Sequence, residues 1–216
     1  MVHTLGKENS ILNQYIADLR DVEVQNNHML FRKNLERIGG IFAYEISKKL
    51  SFESKEVITP LGSANVPVLT EYPVLATILR AGLPFHHGFL EFFDKSENAF
   101  ISAYRKHHKD GSFEVEIEYI SKPVLEDKVL ILVDPMLATG YSMNLAYREL
   151  LGGEKPKHTH IAAIIASLEG VNYIKRNFSS KDVTLWVGAI DDELTAQAYI
   201  VPGLGDAGDL AFGKKI

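Results

Sequence analysis

From Val129 to Ser142 the chain runs through five apolar residues, then Asp134, Pro135, Met136, Leu137, Ala138, Thr139, Gly140, Tyr141 and Ser142. The order describes a buried strand ending in a carboxylate, a turn with a hydroxyl and a glycine, and a second hydroxyl where a helix begins. Each part suits a phosphorylated sugar. A helix start offers backbone N–H groups without intrahelical partners and a partial positive charge, which favours a phosphate. Gly140 lets the backbone approach an anion closely or take positive φ. Thr139 and Ser142 can donate hydroxyl hydrogen bonds to phosphate oxygens. Asp134 ends its strand where open α/β sheets bind ligands, and it can accept hydrogen bonds from sugar hydroxyls. A plain strand–turn–helix junction capped by Ser142 would satisfy the same residue types.

Other phosphate loops are excluded. The chain has no G-x-x-x-x-G-K-[ST]. Gly203 to Gly208 spells G-x-G-x-x-G, but it follows Pro202 and no evident strand and is expected to open no helix, so a dinucleotide site is set aside. The histidines do not form a metal set. His86-His87 and His107-His108 are adjacent pairs that diverge on a helix or strand, and His158 and His160 share a strand face without a carboxylate.

Composition narrows the class. The chain has 216 residues, 46% of them hydrophobic, enough for one sizeable core. Its net charge of -5 argues against the broad basic face that nucleic-acid binding requires. It contains no cysteine, so disulfides and thiolate metal sites are ruled out. The start resembles no signal peptide and no run is long enough to span a membrane, so a cytoplasmic protein is expected.

These residues need a scaffold. Phe31, Leu35, Ile38, Phe42, Ile46 and Leu50 recur at helical steps and predict an amphipathic helix over 30–50. Apolar runs at 74–79, 98–104, 129–133, 161–166 and 183–189 read as strands, with helices near 84–93, 142–151 and 168–177 between them. Continuous apolar strands separated by helices predict an α/β protein whose central, mostly parallel sheet is flanked by helices. Phe113, Val115, Ile117 and Tyr119 alternate with glutamates, which predicts a half-exposed strand of a hairpin arm whose tip, in 105–112, is mobile. Lone Trp186 is expected in the core. Residues 191–213, with Pro202 and four glycines, predict a structured loop over the sheet end.

The stretch Val133 to Gly140 resembles the phosphoribosyl pyrophosphate loop of uracil phosphoribosyltransferases. Ile78 to Pro84 is similar to the family's pyrophosphate-side loop, and Tyr104-Arg105 to the start of its flexible arm. Ala43 to Glu45, Ala189 to Asp191 and above all Tyr199 to Asp209 extend the likeness over most of the chain. The resemblance implies a single phosphoribosyltransferase domain over 1–216, with an N-terminal helical segment about 10–50, a core about 56–190 and a C-terminal uracil-binding hood about 191–213. It implies transfer of 5-phosphoribosyl to N1 of uracil, giving UMP and diphosphate in pyrimidine salvage. The alternative is a nucleotide-sensing regulator on the same fold.

By matching positions, Arg80, Arg105, Asp134 to Ser142 and Asp206 would bind the donor. Ile200, Gly205, Asp206 and Ala207 would hold uracil, and Arg105, Asp134 and Asp206 would be catalytic. Mg2+ would arrive with the donor, without a protein ligand. GTP as an activator and a homodimer or homotetramer are implied as well; nucleic acid and membrane are not. The turn from Leu79 to Gly82 is expected to contain a cis peptide or another backbone outlier. Tyr141 stands where the family usually has a second glycine and is expected to point away from the phosphate. Lys106 to Lys109 make the arm more basic than usual. Ser167-Leu168 replaces the usual Ala-Pro, and this is expected to have no consequence.

Overall fold

The computed structural model describes residues 1–107 and 113–215, with only the backbone at 104–107 and 113–116. In chain order come β1 (Val2–Thr4), α1 (Ile11–Arg20), α2 (His28–Ser47), the hairpin β2 (Phe52–Thr59) and β3 (Gly62–Leu69), β4 (Val74–Leu79), α3 (Gly82–Leu90), β5 (Asn98–His107) and β6 (Phe113–Ser121). Then follow β7 (Val129–Val133), β8 (Met136–Leu137), α4 (Tyr141–Leu151), β9 (His158–Ser167), α5 (Leu168–Asn177) and β10 (Val183–Asp191). The short pair β11 (Glu193–Leu194) and β12 (Ile200–Val201) and the helix α6 (Ala207–Phe212) complete the chain.

The central sheet has the order β1-β10-β9-β7-β4-β5-β6, with β8 beside β9, and every pair except β5–β6 is parallel. This is the expected α/β architecture. Its inner strands are mostly apolar because both faces are covered. Leu130 and Leu132 of β7 pack with Met143, Ala146 and Ile174 of α4 and α5. Ile131 and Val133 turn to the other side, toward Leu12, Phe31, Phe42 and Phe85 of α1, α2 and α3. In α2, Phe31, Leu35, Ile38, Phe42 and Ile46 are all buried, as their spacing requires. Asn27 caps that helix by accepting the Leu30 N–H at 3.1 Å.

Two expectations are corrected and one element has no counterpart in the sequence reading. Nearly every residue of the β2–β3 hairpin is exposed, so neither strand has the apolar face that marks a strand in sequence. The alternation in β6 does not persist. A bulge pairs Ile117 with Ala103 and Tyr119 with Ser102, so Ile117 packs into the core while Tyr119 is 58% exposed. The glycines at 203–208 do follow a two-residue strand and do open a helix, α6, because Asp206 caps it by accepting the Asp209 N–H at 2.9 Å. The arm tip at 108–112 lies outside the described residues.

Trp186 is buried as expected, donating from Nε1 to His160 Nδ1 at 3.1 Å and stacking on His3 at 4.2 Å. Burial, then the charges of His158 and His3, push the His160 imidazole down from 6.5 to about 3. Burial pushes His86 down to about 4, against the opposing hydrogen bond from its Nε2 to Asn98 Oδ1. Both rings are therefore neutral in the fold, whereas in the unfolded chain they take up a proton near pH 6.5. Their contribution is complete above that pH and is lost as pH falls from about 6.5 toward the folded values. Between pH 7.5 and 5.0 each ring should cost roughly 2 kcal/mol of stability. Urea midpoints that coincide at the two pH values would refute this.

Candidate active site

Because the strands are parallel, β4, β7, β9 and β10 all end at one edge of the sheet, where open α/β sheets form their ligand crevice. Arg80 follows β4, Asp134 follows β7, and Asp191 ends β10. The segment after β7 is sewn to β9. The Asp134 N–H reaches the Ala162 carbonyl at 3.1 Å, and the Pro135 carbonyl accepts the Ile164 and Ile165 N–H groups at 3.0 Å each. Asp134 Oδ1 accepts the Met136 N–H at 3.1 Å. Met136 and Leu137 then pair with Ile165 and Ala166 as β8, with the Leu137 side chain in the core, so Leu137 can offer a ligand only its backbone.

The turn into α4 is made at Gly140, with φ +81° and with Tyr173 so near that a Cβ would lie 2.9 Å from its ring. Thr139 Oγ1 accepts the Tyr141 N–H at 3.3 Å. Tyr141 is half exposed, and the Ser142 hydroxyl does not cap the helix. The opposite wall is the turn before α3, where the Leu79–Arg80 peptide is cis. Gly82 lies against the end of β7, its missing Cβ 3.2 Å from the Val133 carbonyl.

Arg80 reaches across to the C-terminal segment. Its Nη2 donates to Asp209 Oδ1 at 3.1 Å and to the Gly213 carbonyl at 3.3 Å, while its Nε is buried without a partner. Asp206 is beside it: the missing Cβ of Gly208 would lie 3.1 Å from Asp206 Oδ1 and 3.7 Å from Arg80 Nη2. Ile200 and Ala207 are buried and Gly205, with φ +93°, is exposed. α6 is tied down from outside, with Arg32 Nη1 on the Ala211 carbonyl at 2.7 Å and His28 Nδ1 on the Leu210 carbonyl at 2.5 Å. The crevice thus brings together Arg80, Asp206 and the ends of the sheet strands. Of Arg105 the structure describes only the backbone, opposite Val115, and its side chain lies outside the described residues.

A family model for uracil phosphoribosyltransferase matches residues 7–214. The chain belongs to the uracil phosphoribosyltransferase family. It is 56% identical over 212 residues to a uracil phosphoribosyltransferase of Porphyromonas gingivalis, covering 98% of each chain. It is 37% identical over 211 residues to one of Methanococcus maripaludis, covering 96% of this chain and 88% of the relative. Among solved structures, the AQ2163 protein from Aquifex aeolicus superposes with TM-score 0.87 at 32% identity, covering 99% and 98% of the two chains. A hypoxanthine phosphoribosyltransferase from Staphylococcus aureus superposes with TM-score 0.51 at 17% identity, covering 87% and 84%, which is a likeness of fold.

In this member of the uracil phosphoribosyltransferase family some supporting residues carry no signal in the sequence. Ser167, expected to have no consequence, makes two hydrogen bonds at the site. Its Oγ donates to the Ala138 carbonyl at 2.6 Å and accepts the Gly170 N–H at 2.8 Å, fastening the β7–α4 segment to the start of α5. Arg20, 171 residues away, grips Asp191. Burial alone would raise the Asp191 carboxyl, but hydrogen bonds from Arg20 and the Gly203 N–H, with the Arg20 charge, hold it below the usual carboxylate range. Arg20 ends an ordinary amphipathic helix, and nothing around it in the sequence marks it out.

Proposed function

We propose that this chain catalyses transfer of 5-phosphoribosyl from phosphoribosyl pyrophosphate to uracil, giving UMP and diphosphate. The bond from ribose C1 to the pyrophosphate oxygen breaks, the bond from C1 to uracil N1 forms, and uracil gives up its N1 proton. The observation that carries the reading is the meeting of the Asp134–Ser142 segment, Arg80 and the Ile200–Ala207 segment at one sheet edge. Residues Asp134 to Ser142 hold the ribose and its 5′-phosphate at the start of α4. Arg80 and Arg105 neutralise the leaving pyrophosphate. The buried Nε of Arg80 supports this role, since an unpaired buried donor is costly and a donor oxygen would satisfy it. Ile200, Gly205, Asp206 and Ala207 hold uracil, whose edge of one N–H between two carbonyls matches backbone groups in a fixed segment. That segment, capped and tied down on its outer side, also argues for an enzyme over a nucleotide-sensing regulator.

Magnesium fits as a companion of the donor. No group of three or more His, Asp or Glu among the described residues could enclose an ion, so the pyrophosphate oxygens are its natural ligands. When bound it neutralises charge on the departing diphosphate. Among the described residues no helix is long and apolar enough to cross a membrane. A cytoplasmic setting suits a chain without cysteine. A homodimer or homotetramer is supported by the β2–β3 hairpin. It exposes Val57, Ile58 and Leu61, and an isolated two-stranded hairpin is marginal in water.

The test is turnover of labelled uracil with donor and magnesium, read as UMP, with and without GTP. Uracil should be used, and cytosine, hypoxanthine and adenine should be at least ~100-fold worse in kcat/KM, because a mismatched edge leaves buried polar groups unpaired. Comparable turnover of a purine base would overturn the assignment of the base segment.

A further inference from the structure

Gly203 stands in the middle of the segment assigned to the base. Its φ of +57° and the 2.1 Å that would separate a Cβ from the Ile200 carbonyl make glycine necessary there, and fold the two residues tightly together. Both backbone polar groups of Gly203 end on one ion pair. Its N–H donates to Asp191 Oδ2 at 2.9 Å, and its carbonyl accepts from Arg20 Nη1 at 2.8 Å. The pair itself is two-pronged, with Arg20 Nη1 on Asp191 Oδ2 and Nη2 on Oδ1, both at 2.8 Å. Arg20 is in turn held by its own carbonyl, which accepts from the buried Gln25 Nε2 at 2.9 Å. A chain of hydrogen bonds therefore runs from α1 to the backbone of the base segment.

We propose that Arg20, acting through Asp191 and Gly203, is a positioning residue that sets the placement of Ile200 to Ala207, and with it uracil affinity and discrimination against cytosine. The inference rests on the reading of that segment as the uracil site. Stability alone is a poor reason for the arrangement. Asp191 is 7% and Arg20 23% exposed, and a largely buried ion pair is often no more stabilising than an apolar pair of the same volume. What the guanidinium alone supplies is a planar fork that holds a carboxylate with two nitrogens and a carbonyl with one of them. An ammonium cannot reproduce that geometry. A base read by backbone groups needs them held to about half an ångström, and a 1 Å misplacement can cost ~100-fold.

Arg20→Met keeps much of the apolar stem and removes the fork; Arg20→Lys keeps the charge. With purified full-length protein, Arg20→Met should raise KM for uracil by ~10-fold or more and narrow the uracil-to-cytosine ratio of kcat/KM, part of the scale that misplacement allows. KM for the donor should rise clearly less than KM for uracil, since Arg80 and Asp134 to Ser142 keep their supports and only Asp206 is shared between the two sites. Arg20→Lys should fall between wild type and Arg20→Met, and it carries the test if Arg20→Met does not fold. A lowered Tm with wild-type KM for uracil and wild-type base selectivity would overturn the inference and leave the proposed function intact. So would equal rises in both KM values. Wild-type protein that makes no UMP would overturn both.

Discussion

Asp206→Asn is expected to lower kcat by more than ~100-fold while leaving Tm nearly unchanged. The fold should survive because the side chain's structural task can be done by an amide. Asp206 caps α6 by accepting the Asp209 N–H at 2.9 Å, and Asn is as good a cap as Asp. The volume is the same. Only the charge is lost, and the charge lies in the crevice, where a Cβ on Gly208 would meet both Asp206 Oδ1 and Arg80 Nη2. As the pyrophosphate leaves, positive charge builds on the sugar, and in the role proposed for it the Asp206 carboxylate would stabilise that state more than the ground state. Loss of one such positioned electrostatic group costs on the order of 10²–10³ in other enzymes. Steady-state kinetics beside a thermal melt decides it, and near-normal kcat at an unchanged Tm would remove Asp206 from the chemistry.

The sheet was legible wherever burial dictates the sequence. β4 and β7 fall on the apolar runs at 74–79 and 129–133, and α5 falls on 168–177, because those elements have no freedom to carry polar residues on their inner faces. Legibility fails where a single residue or a bulge decides. Tyr119 kept the right period for an inward face, but the bulge opposite Ser102 and Ala103 turned it outward. β2 and β3 touch little beyond each other, so their sequence bears no imprint of a core. α6 is a six-residue helix whose only local mark is the Asp206 cap, hidden among glycines that otherwise read as loop.

The candidate site was legible at the residues proposed to meet ligand and opaque at those that hold them in place. Asp134, Thr139 and Gly140 stand out because strand end, hydroxyl and glycine come together at a helix start, and Arg80 stands out only through the Ile78 to Pro84 stretch around it. Ser167, Gly170 and Arg20 act through backbone groups far along the chain, and such contacts leave no spacing to find. Arg20 and Asp191 are separated by 171 residues yet meet at 2.8 Å.

Gly170→Ala is the sharpest test of that hidden support. At Gly170 the N-terminal turn of α5 comes so close to the segment after β7 that a Cβ would lie 2.3 Å from the Ala138 carbonyl oxygen and 2.7 Å from that of Leu137. Both obstacles are backbone, so no side chain can swing away. Either α5 moves out, opening the core at Val171 and Ile174, or the segment moves toward the crevice. α5 is held by the Gly170 N–H bond to Ser167 and by those buried residues, whereas Thr139 and Tyr141 border the open crevice. The segment's backbone is sewn to β9 only as far as Leu137, so the part from Ala138 onward should yield, displacing the groups assigned to the 5′-phosphate. A shift of about 1 Å there is worth on the order of 100-fold, so kcat/KM for the donor should fall by about that factor. KM for uracil should change far less, because Gly203 and Asp206 are fastened from α1 and α6 instead. Folded Gly170→Ala protein with wild-type kcat/KM for the donor would overturn the prediction, because the segment then either stays in place or does not hold the phosphate. A parallel fall for uracil would point to a collapsed crevice.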